Sequence, residues 1–206
     1  MSRRKFKIGL TFNIVAAVVG VLLLFLSTYG WHVTKASVSV SSREHESIAK
    51  SLKKHVYVLS HQIGWRGVEQ YENLQKAEKY ITESFQKSGL TVETQDFIVG
   101  GKLVKNIVAE KKGAANPQKI VVIGAHYDTY FNPGADSNAS GVAVLLELAD
   151  AFSKEEGINA TVRFVAFVNK EPPFFASEDM GSAVCVKRLV TAGEAPAAVV
   201  ILDSLG

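Results

Sequence analysis

The chain has 206 residues, enough for one domain with a short appendage. Its one cysteine, Cys185, excludes an intrachain disulfide and a zinc site built from cysteines. The net charge of +3 comes from the N-terminus, because residues 1–36 hold no acidic residue, whereas the rest carries 18 basic and 20 acidic side chains. That balance gives no excess of positive charge for nucleic-acid binding, and we expect no nucleic-acid partner.

An uncharged, mostly apolar stretch runs from residue 8 to residue 31. As a helix it would be about 36 Å long, which covers a hydrocarbon core of roughly 30 Å. The basic residues that precede it predict a cytoplasmic tail over residues 1–7 and an extracytoplasmic position for the rest of the chain. We therefore expect one transmembrane signal anchor, a single-pass topology and the membrane as a partner. A cleaved signal peptide is the alternative, although secretory apolar cores are usually about 7–15 residues long.

The next part of the chain predicts two helices and a hairpin. Apolar residues recur at helical spacing over residues 41–62 and 68–88. The first helix belongs to a segment, residues 37–62, that is either a stalk or a helix packed on the domain. Two strand candidates follow at 91–99 and 103–110, hinged at a pair of glycines.

Residues 63–206 are expected to form the N-terminal part of one further domain. Continuous apolar runs predict three strands that are covered on both faces, at residues 119–124, 161–168 and 198–202. Helical patterns at 140–153 and 178–192 separate them. The alternation predicts an α/β fold with a largely parallel central sheet flanked by helices.

Each of these strands runs into a polar cluster. His126 and Asp128 follow the first strand, Glu171 the second and Asp203 the third, while Asp136 lies in the loop after the first. Because ligands bind beyond the carboxyl ends of strands in such sheets, these side chains are expected to converge. Singly, each has an ordinary alternative as a strand-end, turn or capping residue. Together, an imidazole and several carboxylates favour zinc or a similar divalent ion.

Four motifs carry a resemblance to a known family: GAHYDT, PGADSNASGVAVLLELA, NKEPPFF and ILDSLG. They resemble the co-catalytic di-zinc aminopeptidases of the bacterial leucyl aminopeptidase type, a family that includes glutaminyl cyclases and a glutamate carboxypeptidase. The resemblance covers roughly residues 65–206. It implies a zinc-aminopeptidase-like fold, which is incomplete here. It also implies hydrolysis of peptides with a free N-terminus. Two zinc ions in such a site polarise the scissile carbonyl and lower the pKa of a shared water.

The resemblance also implies a role for each site residue. His126 and Asp203 would ligate one zinc ion, Glu171 would ligate the other, and Asp136 would bridge both. Asp128 would lie behind His126 and orient its imidazole, an arrangement that fixes the tautomer of a metal-binding histidine.

One departure from the family pattern lies at the general base. The pattern has two adjacent glutamates, the base and then a ligand, whereas this chain has Lys170 followed by Glu171. General acid–base catalysis contributes about 10²–10⁴-fold to the rate, so we expect impaired hydrolysis. Two alternatives stay open: a neutral Lys170 acts as the base, or Glu171 does so and a ligand is lost.

The second departure is a missing histidine. The pattern has a final histidine ligand beyond the Asp203 position, yet all five histidines of this chain precede Asp203. We therefore expect that one zinc ion or none is retained, and that the sequence is a fragment of a longer protein. Two other functions are weighed: a non-catalytic, membrane-tethered binding module, and a glutaminyl-cyclase-like acyltransferase with one metal at His126, Asp136 and Asp203. A serine hydrolase would need a Gly-x-Ser-x-Gly elbow, which the sequence lacks.

Overall fold

The computed structural model describes residues 42–206 of the chain. The predicted cytoplasmic tail and transmembrane anchor, residues 1–31, lie outside the described residues. Among the helices of residues 42–206, none combines the length and the apolar character that a membrane crossing requires.

Helices and strands follow one another along the described part. The helices are α1 (Ser42–Tyr57), α2 (Tyr71–Lys87), α3 (Gly141–Lys154) and α4 (Gly181–Thr191). The strands are β1 (Thr91–Val99), β2 (Lys102–Lys111), β3 (Asn116–His126), β4 (Ala160–Phe167) and β5 (Ala198–Ile201). Two short π-helical segments complete the order, Val58–Ile63 after α1 and Ala135–Ser140 before α3.

The strands form one sheet in the order β1-β2-β4-β3-β5. β3 pairs in parallel with both β4 and β5, but β1 pairs with β2 and β2 with β4 in the antiparallel sense. The prediction of a largely parallel sheet is therefore wrong, and the sheet is mixed. The cause is that the β1–β2 hairpin joins the sheet through antiparallel pairing of β2 with β4. Gly100 and Gly101 in the turn of this hairpin both have positive φ, which suits a tight turn. The α/β class and the central sheet flanked by helices are confirmed.

Buried apolar residues cover both faces of the sheet. β4 shows the alternation that the strand geometry demands. Phe164 and Ala166 join a large cluster with residues of α2 and α3, such as Phe85 and Leu145. Val165 and Phe167 point the other way, into a smaller cluster that includes Cys185 of α4.

β5 departs from the expectation of a third buried strand. Val199, Val200 and Ile201 are 59%, 46% and 58% exposed. β5 is the edge strand beside β3, and within residues 42–206 it has no second strand partner. An apolar run predicts a strand but carries no information on what covers it, which is why this prediction is wrong.

Helix α1 lies against the domain through polar contacts with α2 and α3. Ser51 donates a hydrogen bond to Glu147, and His55 Nε2 lies 3.2 Å from the same carboxylate. His55 Nδ1 is 2.7 Å from the hydroxyl of Tyr80. Burial lowers the pKa of His55 below its usual value, and the nearby Glu147 only partly offsets that. The described part of the 37–62 segment is thus packed on the domain.

Candidate metal centre

The parallel strands β3, β4 and β5 end at one edge of the sheet, and the candidate site lies there. His126 is the last residue of β3 and pairs with Phe167 of β4. Gly124 of β3 pairs with Ile201, the last residue of β5. Asp203 follows two residues later, so the strand register brings it next to His126. The distance from His126 Nε2 to Asp203 Oδ1 is 3.5 Å.

His126 presents a free ring nitrogen inside the protein. Its side chain is 5% exposed, and Nε2 has no hydrogen-bond partner among the described residues. Nδ1 lies 3.1 Å from the main-chain oxygen of Asp128. A carbonyl oxygen only accepts, so Nδ1 must carry the proton and donate it. In the neutral ring, Nε2 then holds the lone pair, and this tautomer can bind a metal ion through Nε2.

The pair formed by His126 and Asp203 fits a zinc ion. Two ligands on a tetrahedral zinc with bonds of about 2 Å lie about 3.3 Å apart. The observed 3.5 Å between the two side chains is close to that spacing. A buried nitrogen without a partner costs free energy, so a ligand at this point would relieve it.

Asp128 is a buried carboxylate that organises the turn after β4. Oδ1 accepts a hydrogen bond from the amide of Lys170 at 3.0 Å, and Oδ2 accepts one from the amide of Glu171 at 2.8 Å. Oδ1 is 3.5 Å from His126 Nδ1, farther than the main-chain oxygen. Orientation of the imidazole by the Asp128 carboxylate stays a prediction, and the shorter contact is made by its backbone.

The Lys170 ammonium lies between two of the predicted ligands. Nζ is 3.0 Å from Glu171 Oε1 and 3.6 Å from Asp203 Oδ2. Partial burial lowers the pKa of Lys170, but Glu171 and then Asp203 outweigh it, so the pKa is raised above its usual value. Lys170 is therefore a cation at neutral pH, and in that state it cannot accept a proton.

Asp136 makes no hydrogen bond or ion pair with another predicted site residue in the part of the chain that the structure describes. It is exposed, in the segment Ala135–Ser140, and its Oδ1 accepts a hydrogen bond from the amide of Gly206 at 3.1 Å. Over residues 42–206, no three His, Cys, Asp or Glu side chains surround a common metal position. The structure thus brings His126 and Asp203 together, and Lys170 links Asp203 to Glu171. The bridging role of Asp136 stays a prediction.

Asn138 is a supporting residue that the sequence patterns did not single out. It is fully buried, and its Oδ1 accepts hydrogen bonds from the amides of Gly141 and Ser204 at 3.1 and 3.2 Å. Its Nδ2 donates to the carbonyls of Leu202 and His126 at 2.9 and 3.3 Å. Asn138 thereby joins the ends of β3 and β5 to the start of α3. The signal in the sequence was a lone asparagine just before a helix, where capping residues are common.

Arg66 is the second supporting residue, and no motif marked it. It is fully buried. Its guanidinium donates to main-chain oxygens of Leu59, Gly64, Tyr127, Pro133 and Gly134, at 2.6 to 3.2 Å. Burial lowers the pKa of Arg66 to about 10, and Asp128 partly counters that. Arg66 ties the start of the domain to the loop between His126 and Asp136.

Comparison with known protein sequences gives a family and several relatives. Residues 106–206 match the model of Peptidase family M28. The chain is 40% identical over 153 residues to the Uncharacterized protein YfbL of Escherichia coli, a match that covers 70% of this chain and 46% of YfbL. It is 34% identical over 86 residues to a Probable zinc metalloprotease of Pyricularia oryzae, which covers 37% of this chain and 17% of that protein. The chain therefore spans less than half the length of either relative.

Solved structures share the fold. A leucine aminopeptidase precursor from Bacteroides thetaiotaomicron has a TM-score of 0.63 at 20% identity, covering 82% of this chain and 65% of that one. Glutaminyl cyclase from Porphyromonas gingivalis also has a TM-score of 0.63, at 22% identity, covering 78% of this chain and 59% of that one. At such identities the likeness concerns the fold alone.

Proposed function

We propose, from the match of residues 106–206 to the model of peptidase family M28, that the protein is a zinc-dependent hydrolase of peptides with a free N-terminus. The observation that carries the proposal is the buried His126 with its unpartnered Nε2 facing Asp203. Relatives described as probable zinc metalloproteases support the choice of zinc. An aminopeptidase among the proteins with the same fold supports the choice of substrate.

In the proposed reaction, three residues of this chain would have separate roles. His126 Nε2 and Asp203 Oδ1 would hold zinc, and the backbone of Asp128 keeps the imidazole in the binding tautomer. Zinc, when bound, polarises a carbonyl and lowers the pKa of water. The carboxylate of Asp128 holds the turn that carries Glu171.

Lys170 limits the rate in this arrangement. As an ammonium ion with Glu171 at 3.0 Å, it cannot take a proton from the attacking water. General-base catalysis contributes about 10²–10⁴-fold, so hydrolysis by this chain should be slower by that order than with glutamate at position 170.

The proposal is tested with the full chain purified in detergent, aminoacyl-anilides as substrates and zinc in the buffer. We expect slow hydrolysis that a chelator abolishes, that Lys170→Glu accelerates by about 10²-fold or more, and that His126→Ala removes. His45→Gln is the matched control, since His45 is exposed on α1. Hydrolysis that survives His126→Ala, or none from either the wild type or Lys170→Glu, would contradict the proposal.

A second candidate, a non-catalytic peptide-binding module, is favoured by the ion pair that Lys170 makes with Glu171. It predicts that the wild type binds unmodified N-terminal peptides without turnover and that Lys170→Glu restores no hydrolysis. Retention of a fluorescent peptide during gel filtration, read beside the anilide assay, separates the two candidates.

We also propose that a single N-terminal helix anchors the protein, with the peptidase domain on the extracytoplasmic side. The uncharged stretch at residues 8–31 and the preceding basic residues support this. The anchored protein should stay with membranes during extraction at alkaline pH, and external protease should reach residues 42–206 in spheroplasts. Release into the alkaline supernatant would contradict the anchor.

A further inference from the structure

Lys170 joins two carboxylates that the family resemblance assigns to different metal ions. Its ammonium is 3.0 Å from Glu171 and 3.6 Å from Asp203. The two carboxylates come from the turns after β4 and β5, so one side chain spans both halves of the candidate metal centre. The three side chains are 33%, 23% and 38% exposed for Lys170, Glu171 and Asp203.

The ammonium contacts one oxygen of each carboxylate that a metal ion would use. A zinc–carboxylate bond is about 2.0–2.2 Å long. Zinc on Glu171 would therefore come close to the ammonium that now contacts the same group, and like charges at that separation repel each other. The Lys170 ammonium therefore opposes the binding of a metal ion to Glu171, whereas His126 Nε2 has no such competitor among the described side chains.

We propose that the Lys170 ammonium is a tethered cation that takes the place of the second zinc ion, so that this chain binds one zinc, at His126 and Asp203. The inference rests on the proposed function in taking zinc as the metal. It differs from that function because it concerns how many ions bind and how tightly, rather than which reaction follows.

Lys170 acts on the remaining ion through Asp203. Oδ2 of Asp203 faces the ammonium, while Oδ1 faces His126. The positive charge of the ammonium thus partly neutralises a carboxylate that would bind the zinc ion. A neutral side chain at position 170 should therefore strengthen the binding of that ion.

A second lysine offers a matched control. Lys105 is also partly buried, and its Nζ lies 2.7 Å from Glu78 Oε1. Loss of that ion pair removes the same charge from the protein at a place where none of the predicted ligands lies. Any effect of net charge or of a lost ion pair should appear equally in Lys105→Gln.

The experiment is a calorimetric titration of the metal-free full chain with zinc chloride, in detergent. We expect the wild type and Lys105→Gln to bind one zinc per chain. Lys170→Gln should bind this zinc at least 10-fold more tightly. Lys170→Arg, which keeps the positive charge, should resemble the wild type.

Lys170→Ala is a second neutral variant, and near-ultraviolet circular dichroism shows which of the two is folded. Equal zinc affinity for the wild type and a folded neutral variant would overturn the inference while leaving the zinc site intact. Two zinc ions on the wild type would overturn it as well. Absence of zinc binding by every protein, neutral variants included, would overturn both the inference and the proposed function.

Discussion

The two sides of the candidate metal centre differ in what faces the predicted ligand. On the His126 side, a buried ring nitrogen points at Asp203 with no partner among the described residues. On the Glu171 side, the carboxylate already has a cation, the Lys170 ammonium at 3.0 Å. The comparison teaches that a carboxylate at the position expected for a ligand is insufficient evidence for a bound metal ion. A neighbouring cation can already neutralise the charge of that carboxylate.

The two sides have similar backbone support. The carboxylate of Asp128 holds the turn with Lys170 and Glu171 through two amides. The amide side chain of Asn138 holds the turn with Asp203 and the end of β3. The two sides therefore differ at one side chain, Lys170, and in the number of predicted ligands, which is two on the His126 side and one on the Glu171 side. The predictions below test the part that Lys170 plays.

The largest expected effect comes from a substitution, at Arg66, that should destabilise both sides of the candidate metal centre. Arg66→Met removes the side-chain donor from five main-chain oxygens, of which those of Leu59 and Gly134 keep an amide donor. The free energy of unfolding should fall by about 3–5 kcal/mol, because the other three oxygens lose a buried donor. Urea unfolding followed by circular dichroism measures it. Arg188→Met is the control, because Arg188 is exposed and makes one hydrogen bond, to the Asp96 carbonyl. Equal losses in the two variants would show that the buried network does not support the site.

The next effect, on zinc affinity, tests the His126 side of the candidate metal centre alone. His126→Ala removes the unpartnered nitrogen, and the zinc affinity should fall by about 100-fold or more, beyond the 10–100-fold typical of residues that only orient a ligand. Titration calorimetry measures the affinity, with His45→Gln as the exposed control. A zinc affinity within about 3-fold of the wild type would show that His126 does not bind the zinc ion.

A smaller effect concerns the loop that connects His126 to Asp136. Gly134 has φ of +57°, and an added Cβ would collide with Thr129 and with the backbone of Ser137. Gly134→Ala should lower the free energy of unfolding by about 2–3 kcal/mol, combining the left-handed backbone cost with the clash. Gly157→Ala shares the positive φ but has open space around its Cβ, so about 1 kcal/mol is expected.

Thermal or urea unfolding of both glycine variants gives the difference. If Gly134→Ala were no worse than Gly157→Ala, the close packing of the loop would play no part in holding this side of the site.

The smallest effect distinguishes the backbone of Asp128 from its side chain. Asp128→Asn keeps the main-chain oxygen that contacts His126 Nδ1 but removes one of the two acceptors for the amides of Lys170 and Glu171. We expect the zinc affinity to change by less than 10-fold, because the backbone contact fixes the tautomer. A loss of 10–100-fold would assign the orientation of the imidazole to the carboxylate instead.

Local patterns sufficed for much of the fold and for the place of the site. The apolar runs before His126 and Asn169 predict β3 and β4, because buried parallel strands need continuous apolar sequence. The polar residues at the strand ends then predict that His126 and Asp203 lie close together. Both inferences use only short segments of sequence and one general rule about sheet edges.

What could not be predicted depends on partners distant along the chain. The sheet is mixed because β2 pairs with β4 across more than fifty residues, which no local pattern encodes. The exposure of Val199 and the hydrogen bond that Asp136 accepts from Gly206 likewise depend on what lies beside them in space. Arg66 was missed because a single arginine between glycines has no periodicity to mark it.

Anomalous diffraction at the zinc edge, from crystals of the protein grown with zinc, tests the central claim most directly. The account predicts one peak per chain, within about 2 Å of His126 Nε2 and of Asp203, with the Lys170 ammonium still against Glu171. Two peaks about 3.5–4 Å apart, one of them bound to Glu171, would contradict it.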